Sequence, residues 1–442
     1  MKFFSSKIGV LLAAAGSAVG LGSIWKFPYT VGENGGGAFI IIYIVCSLIF
    51  GLPLVMNEFL IGKLSRKSAF GAFRALSSSC RWQWLSWTMM FSVLAILSFY
   101  FVVTGWCIYY MVEAAQDTFA GMDAPQLTAF FNTFEGNTPV MMMYTFIAIV
   151  LTASVLWFDV NKGIERLSKI LMPLLFIMLA VMAIHMVFLD GGITGLCFLL
   201  QPDFSKITPL VILEAMGLSF FTLSVGMGIL ITYGGYMPED QNVTNTSVQM
   251  IVLVIIVSLL AGCIIFPAVF AYGFSPTEGP ELAFITLPEV FQHMFAPALT
   301  STAFFALMCV AAITSTISMM EAIVAFFCEA TAGTRHPLGR HQSVLIACLI
   351  LAVTNALCIL STTGRANWLT IMGHNLFDDA NFLVINILIP LGVFAASVFT
   401  GWFVPQARYQ ESRAASFIYL TLLRWIIPIA IIIVFLNSFN IL

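Results

Sequence analysis

Two stretches of this sequence combine glycine with small polar residues inside otherwise apolar runs: Ala18-Val19-Gly20-Leu21-Gly22 and Ser224-Val225-Gly226-Met227-Gly228. Both follow the pattern small-Val-Gly-apolar-Gly. Two glycines within three residues weaken a helix, at about 1 kcal/mol each relative to alanine. A helix interrupted there frees backbone carbonyls and N–H groups, which can bind ions and polar solutes. A third stretch, Thr314-Ser315-Thr316, carries three consecutive hydroxyls. Alone, such hydroxyls back-bond to their own helix. Opposite freed carbonyls they make an all-oxygen site suited to a hard cation. Tyr100, between Phe99 and Phe101, offers a phenolic hydroxyl, with a packed aromatic as the plain alternative. Lys26, Glu58 and Glu321 place charges inside apolar runs. Such charges must be paired or wetted, which marks each as a functional candidate. Glu58 is expected to cap N–H groups freed by the breaks rather than to carry ions. No nucleophile, base and orienting group converge, so an enzyme is not indicated. The nine cysteines lack CxxC spacing and read as small core residues.

The elements that position these residues must be membrane helices. Of 442 residues, 60% are hydrophobic and 9% charged, against about 25% charged in soluble domains. Mean hydropathy is +1.00. No water-soluble fold of this size has interior enough for so much apolar surface. Disordered chains, coiled coils and cytosolic enzymes are excluded, and no basic block offers a nucleic-acid surface. A crossing helix needs about 20 apolar residues. Eleven segments qualify: roughly 8–31, 36–62, 84–114, 139–158, 164–188, 209–236, 243–272, 298–330, 342–360, 379–404 and 415–437. The connections 115–138, 189–208 and 273–297 are rich in loop residues. The first apolar stretch runs past any cleavage site and is not read as a signal peptide. With the N-terminus cytoplasmic, all of the 18 Lys and Arg residues except Lys26, Lys206 and Arg365 lie on the inner side. That bias predicts an N-in protein of the cytoplasmic membrane, with Leu442 outside. Five spans separate the two glycine motifs, so they cross in opposite directions, the mark of an inverted repeat with broken first and sixth helices. The expected fold is an all-α polytopic membrane protein, one domain over 1–442. Repeat one covers about 8–188, repeat two about 209–404, and an extra helix about 415–437.

Four stretches carry a resemblance to a known family: residues 16–28, Glu33-Asn-Gly-Gly-Gly-Ala-Phe39, Lys162-Gly-Ile-Glu-Arg166, and Phe220 through Gly228. With them the chain resembles the neurotransmitter:sodium symporter family, in its bacterial amino-acid transporter branch, over nearly its whole length. The resemblance implies ten core helices in two five-helix inverted repeats, and uptake of an amino acid or amine driven by sodium. Amine carriers of the family place an aspartate where this chain has Gly20, so an amino acid is expected. Its carboxylate would meet the Gly22 N–H and the Tyr100 hydroxyl, and its amino group carbonyls near Ala18, Phe221 and Ser224. Ser17, Leu21, Ile96, Phe221, Ser224, Met227, Ser315 and Met319 would line the side-chain pocket, with Thr222 nearby. Two adaptable methionines suit a large apolar or aromatic side chain. One sodium would be held by the carbonyls of Gly16, Val19 and Ala311 and the hydroxyls of Thr314 and Ser315.

The sequence also departs from the family. At a second sodium site Ser23 and Val254 replace asparagines; Ala18 and Thr222 remain as ligands, and the site is expected to be weak or absent. One sodium per substrate follows. Tyr43, Thr222 and Ser258 match chloride-dependent members, whereas Leu218 replaces a usual glutamine, so the chloride pattern is incomplete. The outer gate holds Lys26 and Asn381 in place of arginine and aspartate, with Asp378 one turn away as a substitute. At the inner gate Glu329 keeps an acid, while Met1 and Phe4 stand where arginine and tryptophan are usual and Lys2 is the nearest basic residue. Two alternatives follow from these departures: a proton-coupled or exchange carrier of the same fold, and an amino-acid sensor that does not transport.

Overall fold

The apolar runs become helices punctuated by the residues that free chain ends require. Ser6 caps the first helix by accepting from Gly9 N at 3.1 Å, and Asn242 caps the seventh by accepting from Asn245 N at 2.9 Å. The computed structural model describes residues 4–77, 80–273, 283–294, 296–364, 374–404 and 413–438. Met1, Lys2, Arg365, Arg408 and Leu442 lie outside them.

Among the described residues nine helices are long and apolar enough to cross a membrane. They are Gly37–Ser65, Gln83–Ala115, Thr138–Leu156, Asn161–Val187, Val243–Ala271, Pro297–Thr331, Arg340–Thr362, Leu376–Phe403 and Phe417–Leu436. Before them stands a bent pair, Lys7–Ala18 and Gly22–Glu33, whose halves meet at 52°. Pro209–Thr222 and Ile229–Gly235 fill the sixth position as a second split helix. In chain order this set is compatible with the eleven spans read from hydropathy, with breaks in the first and sixth.

The third and eighth helices, of 33 and 35 residues, run along each other at the centre, each with 78% of its apolar window buried. The fourth, fifth, ninth and eleventh are only 33–39% buried and form the outer ring. Their exposed side chains, among them Phe146, Ile177, Leu349 and Ile429, are apolar, as a lipid-facing surface demands.

The connections hold more structure than their composition predicts. Segment 115–138 contains a helix at Ala124–Gly136, 189–208 one at Gly192–Leu200, and 273–297 one at Thr286–Gln292. The turn residues mark the ends of these helices rather than replace them. Asp123 accepts from Gln126 N at 3.0 Å while Gln126 Oε1 accepts from Asp123 N at 3.1 Å, a capping box.

The second helix meets the second half of the sixth at backbone distance. A Cβ on Gly62 would lie 1.9 Å from the Ile231 carbonyl oxygen, and one on Gly234 would lie 2.4 Å from that of Phe59. Only glycine fits where backbone meets backbone. Gly62→Ala is therefore expected to force the two helices apart and lower stability by about 1–3 kcal/mol. The measurement is the thermal midpoint of purified protein in detergent; an unchanged midpoint would mean that this contact is slack.

Candidate functional site

The site grows out of the two breaks. Past Ala18 the chain leaves helical geometry at Val19 (φ −82°, ψ 82°). Gly20 N then donates to Ala18 O at 3.1 Å, and Ser23 and Ile24 N both turn back to Gly20 O. In the sixth helix the break lies between Thr222 and Ile229, with Gly226 and Gly228 at φ +84° and +74°. Ser224 sits at φ +56°, a strained state for a residue with a Cβ. Its hydroxyl donates to Ser17 O at 3.1 Å, tying one break to the other.

The eighth helix closes the third side. Ser315 Oγ donates to Gly16 O at 3.4 Å and to Ser17 O at 3.3 Å. Thr314 Oγ1 donates to Ala311 O at 2.9 Å, and a Cβ on Gly16 would lie 3.5 Å from Thr314 Cβ. Gly16, Thr314 and Ser315 thus converge, with Ala311 one turn before them and Val19 one turn past Gly16. Each hydroxyl keeps lone pairs for a cation.

Beside these oxygens two hydroxyls press close on Gly20. A Cβ there would come within 2.2 Å of Ser315 Oγ and 2.7 Å of the Tyr100 hydroxyl. That hydroxyl accepts from Leu21 N at 3.0 Å, so its own hydrogen is left to donate. Leu21, Ile96, Met227 and Met319 are buried, and Ser17 Oγ is buried without a protein hydrogen bond among the described residues. Phe221 packs on Gly22: a Cβ on Gly22 would lie 3.0 Å from its ring.

The pattern of the sodium:neurotransmitter symporter family matches residues 2–133 and 135–441. The chain belongs to that family. It is 37% identical to an uncharacterized sodium-dependent transporter of Bacillus subtilis, YhdH, over 99% of this chain and 98% of that protein. It is 32% identical to an uncharacterized sodium-dependent transporter of Haemophilus influenzae, over 98% of this chain and 97% of that protein. The crystal structure of MhsT in complex with L-phenylalanine superposes with a TM-score of 0.90 at 36% identity, covering 99% of this chain and 100% of that one. A sodium-coupled transporter, and not an enzyme, is what the fold serves.

Two faces of this symporter differ in how they are closed. On the face toward the Glu33 end of the first helix, Lys26 Nζ lies 4.7 Å from the Phe221 ring centroid, a cation–π contact. Lys26 and Phe221 line a cavity of about 300 Å³ together with Glu33, Glu214 and Asn386. Asp378 and Asn381 are not part of that lining, and no ion pair joins Lys26 to Asp378 among the described residues. The outer-gate pairing expected from sequence is therefore not the one present. Lys26 turns instead toward the sixth helix, where Glu214 is the acid that shares its cavity.

The face where the chain starts is closed by hydrogen bonds centred on carboxylates, one of them within a largely buried ion pair. Arg340 meets Glu321 through two bonds of 2.7 and 3.0 Å, and Tyr236 donates to the same carboxylate at 2.8 Å. Arg340 Nε also donates to the carbonyls of Leu156 and Phe158, so one guanidinium at the start of the ninth helix ties the end of the fourth to the eighth. Phe4 stacks edge-on against Tyr233 and Tyr236, and its N–H donates to Tyr236 O at 3.0 Å. Glu165, at the start of the fifth helix, accepts from Ser5 N, Ser5 Oγ, Ser6 Oγ and Lys169, each at 2.7 Å. Glu329 accepts from Ser68 N at 3.0 Å, Ser68 Oγ at 2.8 Å and Gly71 N at 3.2 Å, capping the short helix Ala69–Leu76. Glu321 stands out in the sequence without a partner; Arg340 counts there only toward the charge bias, Glu165 appears only within the stretch Lys162–Arg166, and nothing in the sequence singles out Glu214.

Of the remaining polar candidates, Tyr43 and Thr222 pair with each other. Ser23 Oγ turns back to Ala18 O at 3.4 Å. Thr222 Oγ1 shares a 2.9 Å bond with the Tyr43 hydroxyl and lies 3.2 Å from Ser219 O. Ser258 Oγ is buried with no protein hydrogen bond among the described residues. Val254, where the family supplies an amide, is fully buried.

Glu58, buried in the second helix, accepts from Gly226 N at 2.5 Å inside the sixth-helix break. Removing that acceptor leaves a buried N–H without a partner, at a cost of about 1–3 kcal/mol. Glu58→Leu is expected to lower the thermal midpoint accordingly, while Glu58→Gln, which keeps an acceptor oxygen, retains most of it. Equal losses in both variants would mean that the charge and not the hydrogen bond is what the break needs.

Proposed function

We propose that this symporter imports an amino acid with a large apolar or aromatic side chain, coupled to one sodium ion, by alternating access across the cytoplasmic membrane. The N-terminus would be cytoplasmic and the C-terminus outside, as the distribution of Lys and Arg favours. The observation that carries the reading is the convergence of Ser224 and Ser315 on the carbonyls of Gly16 and Ser17, where only the missing side chain of Gly20 lets the Ser315 and Tyr100 hydroxyls come up against the first-helix break. The 36% identity to a transporter crystallised with L-phenylalanine supports the substrate class.

In this mechanism the substrate carboxylate lies at the start of the half-helix Gly22–Glu33, where N–H groups point outward and the helix dipole favours negative charge. Tyr100 donates to the same carboxylate. The amino group faces carbonyls near Ala18, Phe221 and Ser224, and the side chain lies against Ile96, Met227 and Met319. Gly20 supplies no carboxylate to pair with an amine, which is why a zwitterion fits better than a bare amine. Sodium bridges the carbonyls of Gly16, Val19 and Ala311 to Thr314 and Ser315. Those oxygens belong to the first and eighth helices, so the ion holds the two together. Its release toward the cytoplasm frees the first half-helix to swing away, and the bolts on that face open with it.

The direct test is a thermal-shift screen of the amino acids with and without sodium, since a ligand that binds only the folded protein raises its apparent stability. An apolar or aromatic amino acid should shift the midpoint, and only when sodium is present. A shift independent of sodium would favour a proton-coupled or exchange carrier.

Three further outcomes are expected. Thr314→Ala or Ser315→Ala removes one ligand oxygen and abolishes sodium-dependent binding; an unchanged sodium affinity in either would place the ion elsewhere. Tyr100→Phe deletes one hydroxyl and keeps the ring, so substrate affinity should fall by the equivalent of roughly 1.5–3 kcal/mol, the worth of a hydrogen bond to a charged group. A Kd within about twofold of the parent would leave Tyr100 as packing only. Counting sodium against substrate flux in proteoliposomes should give a ratio of one, because Ser23 and Val254 offer no amide oxygens for a second ion. A ratio of two would mean that Ala18, Ser23 and Thr222 suffice.

A further inference from the structure

Arg424 stands seven residues inside the apolar eleventh helix, Phe417–Leu436, about 10 Å along it. No carboxylate pairs with it among the described residues. An ionised side chain in a membrane helix needs a counter-charge or water, so the partner of this one has to be named.

The surroundings fix where the charge goes. The eleventh helix crosses the tenth at Gly401, where a Cβ would lie 2.9 Å from Arg424 Cγ, so the aliphatic stem lies flat on the backbone of the tenth. Arg424 Nε donates to Gly401 O, one of the last four carbonyls of that helix, which its own turns leave unpaired. That cap uses one of the five N–H groups of the guanidinium. The two terminal nitrogens have no protein hydrogen bond among the described residues and are not enclosed. The guanidinium carbon lies 5.6 Å from the Trp402 ring centroid, and Trp402 meets the Trp425 ring edge-on at 5.1 Å. Trp402, Phe403 and Trp425 are 51%, 54% and 55% exposed, and Phe403 touches Trp82 at the start of the third helix. Aromatic side chains gather in this way at the boundary between hydrocarbon and water. The tenth helix ends here, on the face where the chain starts. A long side chain at this level carries its charge outward to the headgroups while its stem stays on apolar surface.

We propose that Arg424, Trp402 and Trp425 form a site for an anionic phospholipid of the leaflet on the N-terminal face. The phosphodiester accepts parallel hydrogen bonds from Arg424 Nη1 and Nη2, the fork that suits a phosphate. The acyl chains run along Ile426 and Ile429, both exposed on the eleventh helix. Exposed apolar neighbours of this kind select an anion that is part of a lipid over a free one. A headgroup without a cation of its own leaves the whole phosphate charge to Arg424, which separates phosphatidylglycerol from phosphatidylcholine. In the orientation proposed above this leaflet is the cytoplasmic one, where anionic lipids give the surface its negative potential. A lipid held there clamps the eleventh helix to the end of the tenth.

The test uses the full chain in phosphatidylcholine nanodiscs doped with a photoreactive lipid. Its diazirine sits at the head of one acyl chain, and its headgroup is either phosphatidylglycerol or phosphatidylcholine. Mass spectrometry of digests should find the glycerol lipid about fivefold more than the choline lipid on peptides containing Trp402 or Trp425, the worth of one basic residue near an anionic surface. Peptides containing Phe146 or Leu349 of the outer ring should carry the two lipids equally. Arg424→Gln keeps a donor for Gly401 O and should bring the ratio at Trp402 and Trp425 to one, with the thermal midpoint in detergent showing that the variant is folded. Millimolar inorganic phosphate should leave the excess in place. Equal labelling by the two lipids in the parent chain would overturn the proposal, whatever the variant does. An excess that survives Arg424→Gln, or one spread over the whole outer ring, would overturn it as well. Loss of the excess to inorganic phosphate would also overturn it and give the site to a free anion.

Discussion

Everything in this transporter depends on how two interrupted helices satisfy their backbone in a medium that offers no water. In hydrocarbon a lone N–H or C=O costs several kcal/mol, so a break in mid-membrane survives only if side chains take over what the helix gave up. They do so from three directions. Glu58 in the second helix takes the Gly226 N–H, Ser224 and Ser315 reach the Gly16 and Ser17 carbonyls, and Tyr100 accepts from Leu21. Polar groups that stabilise the breaks and polar groups able to hold cargo are therefore largely the same atoms. A substrate that binds there does not enter an empty polar site. It substitutes for bonds that the protein already makes with itself.

The same economy shapes the two faces. The N-terminal face is closed by long-range hydrogen bonds centred on carboxylates: Glu321 with Arg340 and Tyr236, Glu329 on the Ala69–Leu76 helix, Glu165 on Ser5 and Ser6. Among the described residues the opposite face carries no comparable bolt around Lys26, which rests on the Phe221 ring and shares a cavity with Glu214. Lys26 and Glu214 belong to the outer halves of the two broken helices. Both line one cavity, so the two half-helices share a polar wall that the tenth helix joins through Asn386.

Much of this was legible in the sequence because the signals are physical. Lipid requires long apolar runs, and glycine pairs mark where a run cannot stay helical, so the spans and both breaks could be read from residue type alone. The family resemblance then implied a set of oxygens, of which Gly16, Ala311, Thr314 and Ser315 are linked by hydrogen bonds. What could not be read was direction. Lys26 was matched to Asp378 and Asn381 by position along the tenth helix, yet its side chain points to the sixth, a choice set by packing around Phe221. Arg340 was one more positive charge near a span end, and nothing local says that it reaches back to Glu321. The short helices in the connections were missed because their Gly, Asp and Pro residues read as loop, although Asp123 and Gln126 form a capping box.

Gly20 leaves a consequence for how such a carrier can diversify. There is no spare room at that position: even a methyl group would displace Ser315 Oγ, whose hydroxyl lies against the Gly16 and Ser17 carbonyls. A mutation that put a carboxylate there to attract amines would therefore disturb an oxygen of the proposed cation set in the same stroke. Substrate class and driving ion are then not independent characters in this lineage. A path from one cargo to the other would need a compensating change at Ser315 or Tyr100, the two side chains a Cβ at Gly20 would meet.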